Sequence, residues 1–103
     1  MPVPRKGKPQ KLTRVQQLIV DECRSVADLL LAKNREYGNS AMEPIGVFSG
    51  LTAEEQIAVR IDDKLKRIQT TREMDDTEIH EDTELDLIGY LVLMRVARIV
   101  END

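Results

Sequence analysis

Apolar residues recur at helical spacing in three stretches of the chain. In the first, Val15, Leu18, Ile19, Cys23, Val26, Leu30 and Leu31 follow at three- and four-residue steps, the period of one helix face. Thr13 and Gln16 open this run as a capping box, in which each side chain satisfies a free backbone N–H of the first turn. Gly38 supplies the left-handed turn that ends a helix. The pattern predicts a helix from about residue 13 to 37. Thr52 and Glu55 form a second capping box, and Ala53, Ile57, Ile61, Leu65 and Ile68 make the expected buried stripe of a second helix. Residues 71–76 are polar and read as a connection.

The third stretch differs. It starts at about residue 78 or 81, and from Leu85 to Val100 it is apolar nearly all round. A helix apolar on every side is buried on every side. Two other helices of this length cannot surround it, so its remaining face is expected to meet another subunit. The loop at 38–51 is rich in breakers (Gly38, Asn39, Ser40, Pro44, Gly46, Ser49, Gly50) yet carries Met42, Ile45, Val47 and Phe48. Those side chains predict a loop that packs back on the helices. The expected fold is all-α: one small bundle of three main helices over residues 12–103, completed by oligomerisation through the helix at 78–100, after a basic, disordered arm at 1–11.

Composition narrows the function. The chain has 103 residues, room for one domain with a modest core that a partner subunit often completes. A net charge of −4 argues against a dedicated nucleic-acid binder, although Arg5, Lys6, Lys8 and Lys11 make the arm basic. Cys23 is the lone cysteine, and the chain shows neither a signal peptide nor a long uncharged apolar run. These features suit a reducing cytoplasm and no membrane partner. His80 is the lone histidine and is expected at the surface near a helix start. One histidine and one cysteine leave no room for a Ser-His-Asp or Cys-His arrangement, and there is no phosphate-cradling glycine loop.

Three groups could carry chemistry. Asp86 sits among Leu85, Leu87 and Ile88, with Asp82 four residues earlier on the same side. A carboxylate near a core must be paired or bound to a metal, so Asp86 and Asp82, assisted by Asp63 or Glu81, could hold Mg²⁺. The alternative is an ion pair, with Asp86 neutralised by Arg60, Lys64 or Arg67. Those three cations form a stripe along the second helix that could grip phosphates or pair with neighbouring acids. Last, Lys33, Asn34, Tyr37, Asn39 and Ser40 gather a cation, amides, a ring and a hydroxyl at the end of the first helix. They suit nucleotide recognition, with Tyr37 stacking on a base; the alternative is a well-made helix cap.

The runs Lys33-Asn34-x-x-Tyr37-Gly38-Asn39-Ser40, Arg60-x-x-x-Lys64-x-x-Arg67 and Glu81-Asp82-x-x-x-Asp86-Leu87-Ile88-Gly89-Tyr90 resemble the nucleotide-modification-associated family found often in phages, which is similar to the MazG-like all-α NTP pyrophosphatases. The resemblance covers about residues 28–95. It implies a helical bundle that dimerises or assembles further, and a nucleotide held between helices with Mg²⁺ on carboxylates. The MazG-like metal sites need a Glu-x-x-Glu pair on one helix and a Glu-x-x-Asp pair on a later one. This chain has no Glu-x-x-Glu in its first helix, and Thr83 stands where the later Glu would be. Three functions are therefore open: a Mg²⁺-dependent nucleotide pyrophosphohydrolase, a metal-free oligomeric binder that sequesters a linear or cyclic nucleotide signal in a phage-infected host cytoplasm, or a structural protein whose charges are satisfied internally.

Overall fold

The computed structural model describes residues 11–44, 46, 48–74 and 81–103. Its elements are α1 (Arg14–Tyr37), α2 (Ala53–Glu73) and α3 (Glu81–Glu101), with no strand among the described residues. None of these helices is long and apolar enough to cross a membrane. The basic arm up to residue 10, Ile45, Val47 and His80 lie outside the described residues.

Both capping boxes form. Thr13 N donates to Gln16 Oε1 (2.9 Å) and Gln16 N to Thr13 Oγ1 (3.2 Å). Thr52 N donates to Glu55 Oε1 (3.1 Å) and Glu55 N to Thr52 Oγ1 (3.2 Å). These bonds saturate backbone donors that a helix start leaves free. The Thr52 backbone N–H, followed by its side chain, holds the exposed Glu55 carboxyl below its usual range. Gly38 ends α1 with φ 63° and ψ −150°. The positive φ is as expected, but the ψ lies outside the left-handed helical region and in one that essentially only glycine enters.

Two expectations about α2 need correction. The segment 71–73 continues the helix rather than leaving it. Thr71 Oγ1 donates back to Arg67 O at 2.9 Å, so its polar side chain is satisfied within the helix. Leu65 is exposed, whereas Ile57 is buried and Ala53, Ile61 and Ile68 are half-buried. Each four-residue step overshoots a full turn by about 40°, so two steps from Ile57 carry Leu65 about 80° off the buried face.

α2 packs along α3, and α1 meets α3 over a much shorter stretch. Glu54 near the start of α2 pairs with Arg98 near the end of α3 at 2.7 Å, an exposed clasp worth about 0–1 kcal/mol. The α1–α3 crossing is marked by buried Gly89, where a Cβ would come within 3.2 Å of Leu30 Cδ2. Gly89→Ala is expected to be close to neutral. Its helix-propensity gain of about 1 kcal/mol offsets the crowding of a flexible leucine end. Gly89→Leu would wedge the helices apart and cost about 1–3 kcal/mol, read as a lower midpoint in thermal denaturation.

Among the described residues the buried apolar side chains are only Val26, Ile57 and Ala97. α3 buries its inner side, with Gly89 and Ala97 buried and Asp86 and Leu93 half-buried. Its outer side leaves Ile88, Leu91, Val92, Val96, Ile99 and Val100 exposed. α1 likewise leaves Val15, Leu18 and Ile19 of its apolar run exposed. The cause is the short crossing, which reaches only the C-terminal half of α1. The loop also departs from expectation. Met42 and Pro44 are half-buried, but Phe48 is fully exposed.

Candidate functional site

Where the C-terminal half of α1 leans over α2 and α3, the structure opens a cleft of about 1010 Å³, at the upper end of the range for small-molecule sites. α1 contributes Leu30, Lys33, Asn34 and Tyr37, whose spacing places them on one face. α2 contributes Gln56, Ile57 and Arg60, α3 contributes Tyr90 and Leu93, and the loop adds Ser40, Glu43, Pro44, Phe48 and Ser49. The floor is apolar, since Ile57 belongs to the core.

The loop holds the cleft amides in place. Asn34 Nδ2 donates to Asn39 Oδ1 at 3.2 Å, and Gln56 Nε2 donates to Leu51 O at 3.2 Å. Backbone bonds from Met42 N and Glu43 N to Asn39 O (3.0 and 2.9 Å) close the turn that follows α1. Two cations, Lys33 and Arg60, face one acid, Glu43, among the lining side chains. The balance favours an anionic ligand. Tyr37, Phe48 and Tyr90 give the same cleft three aromatic rings. Tyr37 is 64% exposed, so most of its surface is free to meet a planar group.

Beside the cleft, Asp86 is held from both sides. Lys64 Nζ lies 3.0 Å from Oδ2 and Lys33 Nζ lies 3.4 Å from Oδ1. Partial burial pushes the Asp86 carboxyl up, but the hydrogen bond from Lys64 and the charges of Lys33 and Lys64 outweigh it and hold the group below its ordinary value. The three residues come from three different helices, so this cluster ties the crossing together. Lys33 belongs to both the cluster and the cleft.

The cleft gathers five of the residues singled out in the sequence: Lys33, Asn34, Tyr37, Ser40 and Arg60. Asn39 stands behind them as the partner of Asn34. Lys64 is turned to Asp86, and Arg67 is exposed further along α2 and is not part of the lining. Asp63 is exposed on α2. Glu81 and Asp82 open α3, with side chains outside the described residues, which hold no cluster of His, Cys, Asp and Glu able to bind a metal. Gln56 and Phe48 were not marked by the sequence as site residues. Gln56 had a usable signal, because it lies one turn before Arg60 on the same helix face. No protein-family model, curated protein or solved structure matches the chain.

Proposed function

We propose that the cleft binds a nucleotide or a nucleotide-derived small molecule and holds it without converting it. The observation that carries this reading is the convergence of aromatic rings and cations on one apolar-floored cleft. A base stacks on Tyr37, Phe48 or Tyr90, a contact worth about 1–3 kcal/mol per base, while Arg60, which enters no ion pair among the described residues, meets its phosphate. The sequence resemblance to nucleotide-handling families supports the same ligand class. The Asp86 cluster favours binding over hydrolysis. A Mg²⁺ ion would have to replace two ammonium groups that already neutralise this carboxylate. The proposal includes a homo-oligomer built through α3 and working in a reducing cytoplasm, since α3 leaves an apolar outer face in water.

Incubation with a panel of linear and cyclic nucleotides, with Mg²⁺ or EDTA, tests the reading when followed by denaturation and chromatography. Native protein is expected to deplete one nucleotide from solution, independently of metal, and to return it intact on denaturation. Arg60→Ala and Tyr37→Ala are each expected to weaken binding about tenfold, or ~1.4 kcal/mol. Conversion of the nucleotide that EDTA abolishes would replace the binder with a hydrolase. No depletion of any nucleotide would leave the cleft without this ligand class.

A further inference from the structure

Two helix stripes that are unpartnered among the described residues match each other in spacing and in charge. On α1, Val15, Ile19 and Glu22 lie at steps of four and three residues and run on into buried Val26. On the outer side of α3, Ile88, Val92, Arg95 and Ile99 repeat the same steps of four, three and four. Residues spaced in this way share one helix face. Each stripe therefore carries a charge at its third position, acidic on α1 and basic on α3. Val15, Ile19, Ile88, Val92 and Ile99 are exposed, as are Glu22 and Arg95, and neither charge enters an ion pair among the described residues.

We infer that the α1 stripe docks on the outer face of α3 of a second copy, with Glu22 against Arg95 of that copy, and that the exchange is reciprocal. Within one chain the two stripes stay apart, because α1 uses the C-terminal half of its stripe to cross the inner side of α3 at Leu30 and Gly89. A second copy is the occupant because every copy carries both the stripe and its complement. A two-fold arrangement therefore covers two stripes and two faces at once. A single helix contact is small against the ~1,000 Å² that a stable interface needs, and reciprocity doubles it. The two charges then act as register pins, since a misplaced like charge at such a contact is strongly penalised.

This inference rests on the homo-oligomer in the functional proposal, and charge reversal separates the two. Sedimentation equilibrium of the full chain is expected to show association. Glu22→Arg and Arg95→Glu are each expected to weaken it by at least about tenfold, and the double variant to recover most of the loss. Circular dichroism checks that all four proteins keep the same helicity; a single variant that loses helix is replaced by Glu22→Gln or Arg95→Gln, with the same weakening expected in smaller degree. A monomeric wild type at high micromolar concentration would overturn both the oligomer and this docking. Association that ignores the single reversals, or that the double variant does not recover, would overturn the docking while the oligomer stands.

Discussion

Asp86→Asn is expected to lower the thermal midpoint by about 5–15 °C, corresponding to ~1–3 kcal/mol for a domain of this size. The reason is local. Lys64 Nζ, 3.0 Å from Asp86, belongs to a side chain only 13% exposed. An asparagine can still accept a hydrogen bond, but it leaves that ammonium without its counter-charge. Breaking a fully buried pair costs about 3–5 kcal/mol. The value here is smaller because Asp86 is partly exposed and Lys33 is half-exposed, so water screens the cluster.

The pH dependence has a definite sign. Asp86 has a folded pKa below its ordinary value, so its contribution to stability is fully present above the unfolded pKa of about 3.9 and is lost as pH falls through the lowered folded value. The midpoint gap between wild type and Asp86→Asn should therefore be constant from neutral pH down to about 5 and should close in stronger acid. The same variant separates the ion pair from a metal ligand. If Asp86 held Mg²⁺, added Mg²⁺ would raise the wild-type midpoint and leave Asp86→Asn unmoved, and the ion-pair account would have to be given up.

The helices were legible because their signals are local. Thr13–Gln16 and Thr52–Glu55 fix both starts through bonds that span three residues. The polar segment at the end of α2 reads as a break, yet a threonine that bonds to the carbonyl four residues back stays in the helix, as Thr71 does. The α1 side of the candidate site was legible for the same local reason: Lys33, Asn34 and Tyr37 share a helix face whatever the tertiary fold. Arg60 and Lys64 show where local reasoning stops. They lie one turn apart on α2, yet one lines the cleft and the other turns to Asp86. That partition depends on where α1 crosses α3, which no spacing along the chain encodes. Phe48 makes the same point from the loop: its hydrophobicity points to burial, yet it is fully exposed at the cleft rim, within the turn that Gly50 N closes on Gly46 O at 3.0 Å.

The largest single loss is expected from Ile57→Ala, about 2–5 kcal/mol. Ile57 is 4% exposed and is one of three buried apolar side chains among the described residues. Few neighbours share its load, so a chain with a core this small would lose much of its total stability. Ile57 also belongs to the floor of the cleft, which couples the fold to the site. Denaturant titration should show an earlier midpoint, and nucleotide depletion should fall at least as far as the folded fraction does. Phe48→Ala is the contrasting case. Its side chain makes the cleft rim while fully exposed, so the denaturation midpoint should hold while binding weakens by the loss of one stacking surface. If Ile57→Ala left stability intact, the small shared core would not be what holds α2 against its neighbours. If Phe48→Ala bound as tightly as wild type, the ligand would sit deeper, between Tyr37 and Tyr90, and the loop would contribute only its turn.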